Sequence, residues 1–264
     1  MTQPKSLWLV GAGNMGGAML RGWIAAGMPP SAVTVIDPGA PAVPDGVRVL
    51  REPAGGSPEV LVLAVKPQLL EAVAPSLADV RPALLLSILA GVEEATLAAR
   101  IPAGSVVRAM PNLPVAIGKG VTALHAAKST AAMREMAQAL VAPLGRVEWI
   151  DSETMFDAVT ALSGCGPGFV FRFIDALAAA GVSLGLPAEQ AARLALATVE
   201  GAAAMAAGAG ESPAVLADRV ASPGGSTREG LNVLDRDDAL QCLLQETLAA
   251  SRQRNVELAA SARG

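Results

Sequence analysis

Two stretches of this 264-residue chain combine glycines with polar side chains in a way that suits ligand chemistry. "SPGGST", Ser222 to Thr227, interrupts an Ala- and Leu-rich helical half with a proline, two glycines and two hydroxyls. A plain helix–turn–helix connection with Ser226 or Thr227 as N-cap needs less glycine than this. Backbone N–H groups gathered at a helix start hold an anion, and hydroxyls beside them can donate to a reacting atom. The second stretch is "GAGNMGGAM", where Gly11, Gly13 and Gly16 have the GxGxxG spacing. Its first glycine allows a tight turn, its second lets backbone approach a pyrophosphate, and its third lets helix pack on strand.

A lone GxGxxG is a weak signal, so its surroundings decide. Here it follows the apolar run "LWLV" at Leu7, opens an amphipathic helix to about Ala26, and leads into "VTVID". That run ends at Asp37, twenty-one residues past Gly16, where an acidic side chain can hold a ribose 2′-hydroxyl. The whole reads as a dinucleotide-binding strand–helix–strand unit. A carboxylate at Asp37 repels a 2′-phosphate, and Pro38, Gly39 and Ala40 offer no arginine to offset it, so NADH is expected to be favoured over NADPH. A turn aspartate before Pro38 is the competing reading. "AVKPQ", Ala64 to Gln68, brings Lys66 to a strand's carboxyl end, where open α/β sheets bind ligands; a solvated surface lysine is the alternative. "RAMPN" at Arg108 ends another strand, with Pro111 and Asn112 shaping a loop over the same edge.

The elements that position these residues fall into two halves. Up to Asp151, continuous apolar runs ("LWLV", "VTVID", "VLVLAV", "ALLLSIL", "VVRAM") alternate with helical stretches, which suits a parallel sheet covered on both faces. "RVEWID" at Arg146 reads as a late edge strand. Beyond it the strand signals stop. "LSGCGPGFVFRF" reads as a loop into a helix with Pro167 in its first turn, Pro187 and Pro213 start two more, and a long helix follows Asp237 and Asp238. The expected fold is a Rossmann-like α/β domain with a parallel-sheet core over residues 1–152, then an all-α helical domain over 153–264.

Composition narrows the function classes. Hydrophobic residues make up 52% of the chain and charged residues 17%, more apolar surface than one monomer hides, so a subunit interface is expected. A net charge of −4 without a Lys/Arg cluster opposes a nucleic-acid partner. Cys165 and Cys242 have no metal-ligand spacing, which leaves no metal site and fits a reducing cytoplasm. No stretch of about 18 residues runs free of charge, proline or glycine, so no membrane partner is expected.

The order and spacing of "GAGNMGGAM", "LAVKPQ", "RAMPN", "DAVTALSGCGPGFVF", "GLPAEQAARLA" and "VASPGGSTREGLNVL" resemble the Δ1-pyrroline-5-carboxylate reductase family nearly end to end. The resemblance implies a Rossmann domain, a helical dimerisation domain and a homodimer or a higher oligomer built from dimers. It implies hydride transfer from NAD(P)H to the C=N bond of a small cyclic imino acid. Gly11, Ala12, Gly13, Asn14, Met15, Ala64, Lys66, Pro67 and Ala90 would surround the cofactor. Ser222, Gly224, Gly225, Ser226 and Thr227 would surround the substrate, with Gly225 and its neighbours presenting N–H groups to its carboxylate. Thr227 takes the position that hydrogen-bonds the ring nitrogen and is the catalytic candidate. The chain departs from the family at Cys165 and Gly168, where SGSGPA is usual, and at Ala217, where the usual residue is lysine; a related imino acid is the alternative substrate.

The residue inventory agrees. Carbonyl reduction by NAD(P)H usually needs a positioned His, Tyr or Lys, yet the chain has no tyrosine, one histidine and four lysines. His125 lies outside every motif and reads as structural. An imine is more basic than a carbonyl and accepts hydride readily once protonated, so an orienting hydroxyl suffices. A β-hydroxyacid dehydrogenase would place a lysine where "GCGPGFVFRF" has Phe169, Phe171 and Arg172. A dinucleotide-sensing regulator would have no use for "SPGGST".

Overall fold

The computed structural model describes residues 3–261, and side chains as far as residue 257. The chain packs as two compact units: the residues up to Cys165 together with those from Ser251 onward, and Gly166–Ala250.

In the first unit β1 (Leu7–Val10), β2 (Val33–Ile36), β3 (Arg48–Leu50), β4 (Val60–Leu63), β5 (Leu84–Ser87), β6 (Ser105–Pro111), β7 (Gly120–His125) and β8 (Gly145–Trp149) form one sheet. Its order is β3-β2-β1-β4-β5-β6-β7-β8. β1 to β6 are parallel, β7 runs antiparallel to β6, and β8 is parallel to β7. The order reverses between β1 and β4, the switch point at which doubly wound sheets open a crevice. The parallel core therefore matches the sequence reading, while β3 and β7 are additions to it. Three residues of β3 are too few to show a pattern, and β7 has a short Ala- and Thr-containing run whose pairing with β6 supplies its order. "RVEWID" supplies β8, at the sheet edge as expected.

Alternate strand residues face opposite layers. Leu7, Leu9, Val60, Val62, Leu84 and Leu86 pack with Met19 and Trp23 of α1 (Asn14–Ala25) and with Leu140 of α4 (Ala131–Val141). The Trp23 indole N–H donates to the Leu140 carbonyl at 2.8 Å, so this ring is buried without an orphaned donor. On the other face Leu61, Leu63 and Leu85 pack with Leu70 of α2 (Leu70–Val73), Leu97 of α3 (Glu94–Arg100) and Ile101.

After β8 comes the short α5 (Phe156–Val159), and Thr160–Gly164 then winds as one π turn in which Cys165 N–H bonds to the Thr160 carbonyl at 2.8 Å. The expected loop at "LSGCG" is thus a widened helical turn, because its glycines tolerate the extra residue without leaving the helix. The second unit contains α6 (Gly166–Ser183), α7 (Ala188–Gly208), α8 (Pro213–Val220), α9 (Ser226–Asp235) and the start of α10 (Ala239–Ser261). α6 packs on α7 through small residues: a Cβ at Gly181 would sit 3.4 Å from that of Ala191. The Ser212 hydroxyl caps α8 by accepting from Val215 N–H. Phe171, Phe173, Leu196, Met205 and Leu243 are exposed on these helices in the single chain. The run Glu153–Ser183 has the length and hydropathy to cross a bilayer, by composition alone, although Glu153, Asp157, Arg172 and Asp175 interrupt it.

Candidate active site

The GxGxxG loop takes its shape from backbone conditions. Gly11 has φ +89°, and a Cβ there would lie 2.9 Å from the Ala64 carbonyl oxygen, so both the conformation and the room require glycine. A Cβ at Gly16 would meet the Gly11 carbonyl oxygen at 2.3 Å, which is how α1 comes so close to the loop. Gly13 is the N-cap of α1, no side chain caps that helix, and nothing crowds the Gly13 Cα. The first-turn N–H groups of α1 are thus presented, with the positive end of the helix dipole behind them, to whatever enters.

Gly11, Gly13, Asp37, Ala64 and Lys66 line one cavity of about 950 Å³. The strand ends of β1, β2 and β4 bring them together from three segments. Ala12, Asn14 and Met15 belong to the same glycine loop and α1 start, and Pro67 follows Lys66. Ala90 is exposed on the loop after β5 and is not among the residues that line this cavity. Asp37 is half-buried and held at both oxygens: Ala12 N–H donates to Oδ2 at 2.9 Å and Gly39 N–H to Oδ1 at 2.9 Å. It is therefore a turn aspartate, and it also lines the cavity. The cavity's size, its uncapped helix start and its carboxylate suit a dinucleotide with its pyrophosphate at α1 and a ribose at Asp37.

Sequence reasoning missed several residues here. Arg51, Glu52, Gln68 and Ser76 also line the cavity. Arg51 and Glu52 follow β3, which has no periodic signal, so nothing along the chain pointed to them.

A buried polar cluster fixes the neighbouring strand ends. Glu153 Oε1 accepts from Arg108 Nη1 at 2.7 Å and from the Glu94 N–H at 2.7 Å, joining β6 and the start of α3. The Arg108 guanidinium lies 4.1 Å over the Phe156 ring. Glu94 Oε2 accepts from Ala127 N–H at 2.8 Å and stands 3.5 Å from His125 Nδ1, whose ring meets Phe156 edge-on. His125 is buried inside this packing, the structural setting expected of it. Beside it, the Asn112 amide donates to the Ser163 carbonyl at 2.9 Å and accepts from Val121 N–H at 2.8 Å. The residue four positions on from Ser163 is Pro167, which has no N–H to offer that carbonyl, and Asn112 supplies the donor. Among the described residues no group of three or more His, Cys, Asp or Glu is placed to hold a metal ion.

The second unit carries the other candidate stretch. Gly224 has φ +70°, the left-handed conformation that glycine adopts freely. A Cβ on Gly225 would meet Ser222 Oγ at 2.6 Å, so the turn closes tightly on Ser222. Gly225 N–H donates to the Ser222 carbonyl at 2.9 Å. The expectation that Gly225 itself offers its N–H to a substrate is therefore corrected: closing the turn consumes that donor. Gly225 is the N-cap of α9 with no side-chain cap, so the presented donors are the first-turn N–H groups of Ser226 and Thr227. Both side chains are exposed, and the Thr227 hydroxyl has no partner within the described chain. Arg228 bonds to Asp218 at 2.7 Å and anchors this turn to α8.

Comparisons with known proteins bear on the whole chain. Residues 153–258 match the family model for pyrroline-5-carboxylate reductase dimerisation, and residues 6–91 match that for NADP oxidoreductase, coenzyme F420-dependent. The pyrroline-5-carboxylate reductase of Pseudomonas aeruginosa is 38% identical over 98% of this chain and 98% of its own. The chain belongs to the pyrroline-5-carboxylate reductase family. A solved pyrroline-5-carboxylate reductase from Coxiella burnetii superposes with a TM-score of 0.87 at 30% identity, over 97% of this chain and 99% of that one. One from Plasmodium falciparum with NADP bound superposes with a TM-score of 0.79 at 25% identity, over 97% and 98%.

Membership in this reductase family gives the departures a physical reading. Cys165 is half-buried at the end of the π turn and accepts from Ser251 Oγ at 3.3 Å, the contact a serine hydroxyl would make. A Cβ at Gly168 would have open space, so the missing alanine costs no packing within the chain. Ala217 removes a cation next to Asp218, and Arg228 supplies one from the following helix.

Proposed function

We propose that the protein reduces 1-pyrroline-5-carboxylate to L-proline by hydride transfer from NAD(P)H to the C=N bond, with NADH preferred, and that it works as a homodimer. Residues 1–152 form the dinucleotide-binding domain in this reading, and residues 153–264 the substrate-binding and dimerisation domain. The observation that carries it is the uncapped, glycine-led start of α9, with an unengaged Thr227 hydroxyl, in a chain whose other half holds a dinucleotide-type cavity.

The nicotinamide, when bound, supplies the hydride. The first-turn N–H groups of α1 would hold the pyrophosphate, and Asp37 would accept from the adenosine ribose. Ser226 and Thr227 N–H groups receive the substrate carboxylate, aided by the α9 dipole. The Thr227 hydroxyl hydrogen-bonds the ring nitrogen and orients the protonated imine, which becomes the amine when its carbon accepts hydride. No stronger acid is required, because the nitrogen already carries its proton.

Preference for NADH rests on Asp37. Two backbone N–H bonds hold its carboxylate in place, so a 2′-phosphate could not displace it cheaply. The dimer rests on the exposed aromatic and aliphatic residues of α6, α7 and α10, which lie within the residues matched to the family's dimerisation domain. The same match supports reading the apolar run Glu153–Ser183 as part of a subunit interface. Following NADH oxidation by absorbance with pyrroline-5-carboxylate tests the reading: turnover supports it, and absence of turnover with both NADH and NADPH sinks it.

A further inference from the structure

Asp37 has a neighbour on the same cavity wall. β2 and β3 are parallel with Ile36 opposite Leu50, and Asp37 donates its N–H to the Leu50 carbonyl at 2.9 Å, the bond that completes this last pair. Asp37 and Arg51 are therefore the residues that directly follow a paired position on two neighbouring strands. Both line the cavity. The Asp37 carboxylate is occupied by Ala12 and Gly39 N–H groups. Arg51 is exposed and has no hydrogen bond or ion pair to any described residue, although Asp37 and Glu52 are both near it in the chain path. A guanidinium left unengaged beside the ribose-binding carboxylate is placed to fork onto a phosphate there.

We propose that Arg51 is the residue that receives the 2′-phosphate of NADP(H), which makes the subsite two-sided. Asp37 serves a free 2′-hydroxyl, and Arg51 offsets the repulsion that Asp37 imposes on a 2′-phosphate. Cofactor choice then follows from the balance between these two side chains, with Glu52 weighting it toward NADH. The proposal rests on the reading of this cavity as the dinucleotide site, and extends it to how one site accepts two cofactors.

Isothermal titration of NADP+ and NAD+ into the full-length wild type, Arg51→Ala and Arg51→Lys proteins tests it. A charge-assisted hydrogen bond, discounted for exposure, is worth about a tenfold change in affinity. The ratio of Kd for NADP+ to Kd for NAD+ should rise about tenfold in Arg51→Ala and by less in Arg51→Lys, which keeps the charge and loses the fork. Raising the salt concentration should weaken NADP+ in the wild type more than in Arg51→Ala. An unchanged ratio overturns the proposal, whether both affinities fall together, which would put Arg51 on a part common to both nucleotides, or neither falls. Failure of the functional reading shows separately, as wild-type protein that binds both nucleotides and does not reduce pyrroline-5-carboxylate.

Discussion

The Asn112 side chain donates to the Ser163 carbonyl at 2.9 Å, across 51 positions of sequence, and so closes the widened helical turn that follows α5 onto the end of β6. Its other atom accepts from Val121 N–H, which fixes the first residues of β7 in the same act. One buried amide thus holds a strand reversal and a π turn together. We expect Asn112→Ala to leave a half-buried carbonyl and a half-buried N–H without their partners, at about 2 kcal/mol. In a chain of this size that is a fall in Tm of roughly 4–8 °C. Asn112→Asp keeps the acceptor for Val121 and loses the donor to Ser163, so its loss should be intermediate. Thermal melts of the three proteins check this, and an unchanged Tm in Asn112→Ala would remove the amide from any structural role.

Thr227 offers a cleaner separation of stability from chemistry. Its hydroxyl is exposed and makes no bond within the described chain. Thr227→Ala should therefore leave Tm and NADH affinity near wild type while lowering kcat by one to two decades, the kinetic equivalent of about 1.5–3 kcal/mol for a hydrogen bond to a charged transition state. Thr227→Ser should recover most of the rate. Equal kcat in Thr227→Ala and wild type would take the hydroxyl out of the mechanism.

The two backbone bonds to Asp37 refine what its replacement should do. Asp37→Asn removes the charge and keeps one acceptor oxygen for the loop, so kcat/KM with NADPH should rise relative to NADH. Asp37→Ser shortens the side chain and should narrow the same gap, while also loosening the Ala12 and Gly39 contacts and weakening NADH. Steady-state kinetics with both cofactors measures this. A wild-type enzyme that prefers NADPH would show that the carboxylate does not govern the choice.

Glu153 neutralises Arg108, whose side chain is 6% exposed, and also receives the Glu94 N–H at the start of α3. Removing the carboxylate strands a buried cation, so Glu153→Ala should cost about 3 kcal/mol in urea denaturation. Adding Arg108→Met to that variant should restore part of the loss, since the uncompensated charge goes with it. A double variant no more stable than Glu153→Ala would show that packing on Phe156, and not charge, is what Arg108 contributes.

Local features of this protein were legible because their causes are local. Gly11, Gly13 and Gly16 specify a turn whose φ and close approaches any strand–loop–helix of this kind imposes, and Asp37 follows at a fixed distance along it. Pro167, Pro187 and Pro213 announce helix starts through the φ that their rings fix. What only the tertiary structure decided are pairings between residues far apart in sequence. Arg51 joins Asp37 because β3 lies beside β2, and three strand residues carry no signal of that neighbour. Glu153 meets Arg108 and Glu94 across 45 and 59 positions. Gly225 spends its N–H on Ser222, so the donors aimed outward belong to Ser226 and Thr227, a difference that hydrogen-bond geometry alone reveals. Residue type sets what each group can do, and the folded chain sets which groups are already occupied.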